Sequence, residues 1–200
     1  MDMLSVILGF LVMLNPFALF LYLRPVMQDL THRQFLAVFT RASLISFVIF
    51  LIFLLFGDFI FEKIFRIYFD AFRIFGGIIL FSLAYLYIVK GQRGFIQVKE
   101  NLDDLASEIA LPFMVGAGTI SLSILMGDQL MVYEGIISLT IIMTINFIGV
   151  IGLKEMRARI RSAKFQVAFD KNMEILMRIN GFFVGAIGID MIVRGIKNLF

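Results

Sequence analysis

The chain has no cysteine, no tryptophan, one histidine and three prolines among its 200 residues. Without cysteine there is no disulfide framework, no thiolate metal site and no redox indication of compartment. The single histidine, His32, excludes a metal site built on paired histidines, and no HExxH or GxSxG pattern occurs. Charge is scarce as well. Asp, Glu, Lys and Arg make up 16% of the chain against 60% hydrophobic residues, and the mean hydropathy is +0.96. No soluble domain of this length has a use for that much apolar surface.

Charge-free apolar sequence fills the chain instead. It recurs over Met3–Leu23, Ala42–Gly57, Ile74–Val89, Ile109–Gly127, Gly135–Leu153 and around Ile179–Val193. Roughly 20 residues cross the ~30 Å hydrocarbon core, fewer where charged ends snorkel. Each stretch therefore reads as a span, the second, third and sixth being short unless flanks such as Phe35–Thr40 or Ile175–Met177 join them. The expected fold is all-α, a single integral membrane domain over 1–200 with six transmembrane helices. Asp2 precedes the first span and no basic run does, so that span is expected to be retained, not cleaved as a signal.

Lys and Arg divide unequally between the two sides of such a topology. The loops after spans one, three and five, with their helix ends, hold Arg24, Arg33, Arg41, Lys90, Arg93, Lys99, Lys154, Arg157, Arg159, Arg161, Lys164, Lys171 and Arg178, thirteen of the 18. The positive-inside rule then places those loops in the cytoplasm and both termini outside. The pI near 9.3 follows from the same loops and implies no nucleic-acid partner. Lys154–Lys171, with Met156, Ile160, Ala163 and Val167 at helical spacing, reads as an interfacial helix on anionic lipid or an extension of the fifth span. Gln92–Glu108 is polar and reads as a solvated cytoplasmic linker, although a strictly inverted symmetry between the two halves of the chain would dip part of it into a cavity.

Two of the spans are broken. Asn15-Pro16 sits well inside the first, while the fourth is interrupted by Pro112 and then by Gly116-Ala117-Gly118-Thr119. Proline removes an amide donor and clashes one turn back, and in hydrocarbon the freed groups have no water to turn to. The third and sixth spans share Arg-Ile-x-Gly openings, Arg73–Gly76 and Arg178–Gly181, and similar closing runs at Ile88–Gly91 and Ile192–Gly195. With Pro16-Phe17 set against Pro112-Phe113, the chain reads as a 3+3 inverted repeat. Residues 1–91 form the first three-span half, 92–108 the linker and 109–200 the second half.

Asn15-Pro16, the run Leu111-Pro112-Phe113-Met114-Val115-Gly116-Ala117-Gly118-Thr119-Ile120 and the segment from Arg178-Ile179-Asn180-Gly181 to Arg194-Gly195-Ile196 resemble the MarC family. These are six-span inner-membrane proteins, also called the neutral amino acid transporter family, similar in architecture to the lysine-exporter superfamily. The family usually has Gly-Pro-Gly where this chain has Gly116-Ala117-Gly118. The resemblance implies a secondary transporter in a prokaryotic plasma membrane, moving a small neutral amino acid such as alanine or glycine. Its partners would be membrane lipid, the substrate and H+ or Na+, with no cofactor and no metal. A homo-oligomer is compatible with it.

A zwitterionic cargo needs partners for a carboxylate and an ammonium, and a broken helix offers free amides and carbonyls for both. The expected substrate-binding set is Asn15, Pro16, Pro112, Gly116, Gly118 and Thr119, with Asn146 and Asn180 as secondary candidates. Close helix packing is the plain alternative for the glycines. Asp190, an intramembrane carboxylate, is a candidate for ion or proton coupling. A helical ion pair with Arg194, four residues on, is its plainer role. Gly57-Asp58 and Gly127-Asp128 raise an intramembrane aspartyl protease, but both lie at expected outer ends, where Gly-Asp reads as a helix stop. The chain is thus expected not to be an enzyme. Export of another small polar metabolite, or a non-transporting binding or assembly subunit, are the alternatives to amino acid transport.

Overall fold

The computed structural model describes residues 3–89 and 102–199, apart from the side chains of Asp58, Pro112 and Phe113. All the secondary structure among them is helical: α1 (Met3–Leu14), α2 (Pro16–Tyr22), α3 (Arg24–Asp29), α4 (His32–Asp58), α5 (Phe69–Val89), α6 (Leu102–Glu108), α7 (Ala117–Gln129), α8 (Val132–Arg159) and α9 (Ala163–Leu199). Two π-helical stretches, Phe59–Phe65 and Ile109–Met114, follow α4 and α6. Among the described residues, five segments are long and apolar enough to cross a membrane: Met3–Tyr22, His32–Gly57, Phe69–Val89, Val132–Arg159 and Ala163–Leu199. The remaining expected span, Ile109–Gly127, is divided between the second π-helical stretch and α7, so it is no continuous apolar helix.

Local chemistry sets the helix starts. Thr31 caps α4 by a reciprocal box: its Oγ1 accepts from the Gln34 amide at 3.4 Å, and Gln34 Oε1 accepts from the Thr31 amide at 3.0 Å. One hundred residues on, at 131 and 134, the Glu134 carboxylate accepts from the Met131 amide at 3.2 Å and opens α8 in a similar way. Of the two readings for Lys154–Lys171, the extension of the fifth span holds for its first part, and no separate interfacial helix forms. Residues 154–159 end α8, 160–162 turn the chain, and 163–171 begin α9. At 37 residues α9 is about 55 Å long, so its first turns stand well clear of a ~30 Å core. Of the expected linker, 102–108 form α6, with Leu105 and Ala106 buried against α4. The alternation of apolar and acidic residues there gives a helix one face to bury. Residues 92–101 lie outside the described set.

Each broken helix packs on helices from the opposite half of the chain. α4 lies along α6, the second π-helical stretch and α7, while α8 lies along α1 and α2. α5 packs on α7 and α9 on α2. The closest union is α5 with α9, and glycine makes it. A Cβ on Gly77 would stand 2.5 Å from the Gly188 carbonyl oxygen, one on Gly188 2.8 Å from that of Gly77, and one on Gly195 2.9 Å from that of Asp70. The register falls on one helix as it rises on the other, so the two run antiparallel with their backbones nearly touching. Gly127 is used likewise: a Cβ there would collide with the Leu54 carbonyl of α4. Gly127 therefore serves a helix crossing as well as the expected helix end, since α7 stops at Gln129 as α4 stops at Asp58.

Basic residues gather at one end of the bundle. There Asp170 of α9 holds Arg24 of α3 at 3.0 Å and Arg157 of α8 at 2.8 Å, and Arg41 of α4 pairs with Asp103 of α6. Arg178 donates to the Ile88 carbonyl at the C-terminal end of α5 at 2.9 Å, a favoured place for a cation. Arg73 and Arg194 lie at the other end, beside the start of α1.

Gly77→Ala should lower the unfolding free energy in detergent by about 1–3 kcal/mol, because the new methyl meets backbone that cannot move aside. Gly152→Ala, with open space around its Cα, should stay within about 0.5 kcal/mol of wild type. Equal stability of the two variants would contradict the close α5–α9 contact.

Candidate functional site

The first break starts from a left-handed residue. Asn15 has φ 46° and ψ 76°, a region Asn tolerates better than most side chains. Its amide still bonds the Leu11 carbonyl at 3.0 Å, and its carbonyl accepts from Leu19 at 3.0 Å. Its Oδ1 caps α2 by accepting from the Ala18 amide at 3.1 Å. Pro16 has no N–H to offer the Val12 carbonyl one turn back. That carbonyl is satisfied from another helix: Asn180 Nδ2 of α9 donates to it at 2.7 Å. Asn15 is 1% exposed, and its own Nδ2 has no partner.

Helix α8 covers this break. A Cβ on Gly149 would sit 3.6 Å from Pro16 Cβ. One turn earlier on α8 is Asn146, fully buried, with neither Oδ1 nor Nδ2 partnered. Three amide atoms, one on Asn15 and two on Asn146, are thus buried with no hydrogen bond among the described residues. Such groups cost about 1–3 kcal/mol each when left so.

The second break arises differently. Leu111 is extended, at φ −118° and ψ 118°, because the ring of a following proline crowds the helical region. The backbone recovers through a wide turn in which the Val115 amide bonds the Ala110 carbonyl at 2.8 Å. It then runs extended through Val115 and Gly116 before α7 begins. Thr119 repairs this break locally. Its Oγ1 accepts from the Gly116 amide at 2.9 Å and lies 3.1 Å from the Met114 carbonyl and 3.0 Å from that of Gly116, either of which its hydroxyl can serve. Gly116 has no side chain to cap the first amides of α7. The Cα of Gly118 faces Leu80 of α5, whose side-chain carbons stand 2.6 to 2.7 Å from where a Cβ would be.

The interruptions at 15 and 115 are one hundred residues apart, the spacing that also separates the α4 and α8 starts. Pro16 directly follows the left-handed Asn15, while Pro112 lies inside the second break, between extended Leu111 and Val115. Leu14 and Leu19 beside the first break and Met114 and Val115 beside the second belong to one buried cluster. Asn15, Pro16, Asn146 and Asn180 gather around the first break. Gly116, Gly118 and Thr119 are at the second. Asp190 is away from both, paired with Arg194 at 2.7 Å, each side chain more than half exposed. Sequence reasoning missed Asp170, the single carboxylate in the basic run 157–171 and the clasp for two arginines. Its isolation among cations was the available signal.

A family model described as MarC family integral membrane protein matches residues 2–200. A UPF0056 membrane protein of Pyrococcus horikoshii is 28% identical over 97% of this chain and 93% of its own length. A UPF0056 membrane protein of Aquifex aeolicus is 25% identical over 96% and 91%. The UPF0056 membrane protein YhcE of Escherichia coli is 27% identical over 96% and 91%. No solved structure matches the chain.

Asn180 ties the first break to α9 through a carbonyl near the C-terminal end of α1 to which Pro16 can offer no N–H. Asn180→Ala should therefore cost about 1–3 kcal/mol of stability. In a Pro16→Ala background, where the chain regains a donor one turn on, the same change should cost measurably less. A double-mutant cycle from unfolding in detergent reads the difference, and additive effects would sever the link.

Proposed function

From the premise that the chain belongs to the MarC family of integral membrane proteins, we propose that it is a secondary transporter of small neutral amino acids, alanine- or glycine-like. In this reading it has six spans in a 3+3 inverted repeat. The sixth is the stretch from α6 through α7, interrupted at Val115-Gly116 as the first is at Asn15. The common spacing of breaks and helix starts supports the repeat. So does the exchange of partners, α4 on the second broken helix and α8 on the first. The basic end faces the cytoplasm of a prokaryotic cell by the positive-inside rule, which puts both termini outside.

The observation that carries the reading is Asn146. A fully buried amide with no partner at either end, beside a helix break, fits a group that a polar solute completes. A zwitterion has the matching parts. Its ammonium suits Asn146 Oδ1 and the carbonyls ending α1. Its carboxylate suits the Nδ2 groups of Asn15 and Asn146 and the free amides opening α7. Pro16, Pro112, Gly116, Gly118 and Thr119 shape the two breaks, and Asn180 holds the first in place. Alternating access would move each broken helix against the helices of the other half, driven by an H+ or Na+ gradient.

The test is labelled alanine and glycine flux in proteoliposomes, with and without imposed proton and sodium gradients, for wild type and Asn146→Leu. Leucine has nearly the shape of asparagine and removes the unpaired atoms. The variant should match or exceed wild-type stability while losing at least tenfold in flux. Full flux would remove Asn146 from the site. No flux from folded wild type under any gradient would turn the reading to another polar cargo or to a subunit that does not transport.

A further inference from the structure

At the end away from the basic cluster, α1, α5, α7 and α9 leave a cleft of about 140 Å³. Its deeper surface is apolar, with Met126 of α7 and Met191 of α9, while Arg73, Asp190 and Arg194 supply its charge. Gly9 lines it from α1, with no atom within 4 Å of where a Cβ would stand.

Arg73 is fixed in this cleft. Its side chain is 11% exposed, Asp70 Oδ1 accepts from one guanidinium nitrogen at 3.2 Å, and the Phe69 ring lies 5.4 Å beneath. That hydrogen bond engages one of the five N–H groups of a guanidinium, leaving edges of the planar fork available to a second carboxylate. Asp190 stands on the same cleft with its side chain 56% exposed, paired among the described residues with the adjacent Arg194. The cleft thus offers a fixed guanidinium, an accessible carboxylate and an apolar floor. The opposite end shows the contrast. There Asp170, 11% exposed, is enclosed between Arg24 and Arg157 and spends both carboxylate oxygens on them.

We propose that this cleft is a second binding site, distinct from the breaks, for a zwitterionic α-amino acid with a short apolar side chain. Arg73 binds the carboxylate, Asp190 the ammonium, and the methionine floor the side chain. The amino acid as cargo rests on the transport reading, whereas the site itself rests on the cleft. A lipid headgroup that joins a phosphate to an ammonium has related chemistry, and the test separates the two.

The experiment measures alanine binding by calorimetry to purified Asn146→Leu protein in phosphatidylcholine nanodiscs, so that only the cleft contributes. Saturable binding is expected, with propionate and propylamine each at least tenfold weaker than alanine. Adding Arg73→Gln should weaken alanine binding at least tenfold. Gly9→Leu, which fills the cleft and removes no charge, should abolish it with an unchanged melting temperature. The Gly9 variant keeps the test decisive should loss of Arg73 unfold the protein. Alanine binding that survives both variants overturns the proposal. So does binding that vanishes when phosphatidylethanolamine replaces phosphatidylcholine, which would assign the cleft to lipid. Absence of transport by wild type with cleft binding intact would sink the transport reading and leave this site standing. Transport with no cleft binding would do the reverse.

Discussion

A carbonyl without its amide organises this fold. In hydrocarbon a backbone acceptor must find its donor within the protein, and Pro16 deprives Val12 of one. Asn180 supplies it from α9, 168 residues further along the chain. That bond requires α9 to lie against α1, and α9 in turn carries α5 through the contact at Gly77 and Gly188. The second break makes no such demand, because Thr119 satisfies Gly116 and Met114 within its own segment. One interruption is therefore wired to a distant helix and the other is self-contained. Movement of α9 would disturb the first break directly and reach the second only through packing.

The parts legible in the sequence were those that hydrocarbon dictates. Five of the six charge-free runs fall on membrane-length helices, Asn15-Pro16 and Pro112–Gly116 marked the interruptions, and the Lys/Arg asymmetry separated the ends. The pairing of helices was not legible. Inside a membrane the lipid-facing and protein-facing sides of a helix are both apolar, so periodicity does not say which side meets a neighbour. The Asn180 bond was hidden for a further reason: its acceptor is a carbonyl, which every residue possesses.

Two residues do more than their identity suggests. Gly127 lies in the last turn of α7, which ends at Gln129, and also serves a crossing with α4 at Leu54. Pro112 acts through the residue before it, by extending Leu111. In both, the effect on the neighbouring backbone is what identity alone leaves out. Residues 102–108 teach the same lesson from composition. Asp103, Asp104 and Glu108 suggested a solvated segment, while the intervening Leu105 and Ala106 fold it into a helix against α4.

The three asparagines around the first break separate structure from function by their hydrogen bonds. Asn180 uses its donor on Val12 and so fastens helices together. Asn15 uses its acceptor to cap α2 and keeps its donor unpaired. Asn146 has no partner among the described residues at either end of its amide, although it is as deeply buried as any of them. Packing alone would favour leucine at such a position, since an apolar side chain of similar shape avoids the desolvation penalty. The ordering from Asn180 through Asn15 to Asn146 is one of decreasing structural use, and the proposed transport reading takes its site residue from the far end of that order.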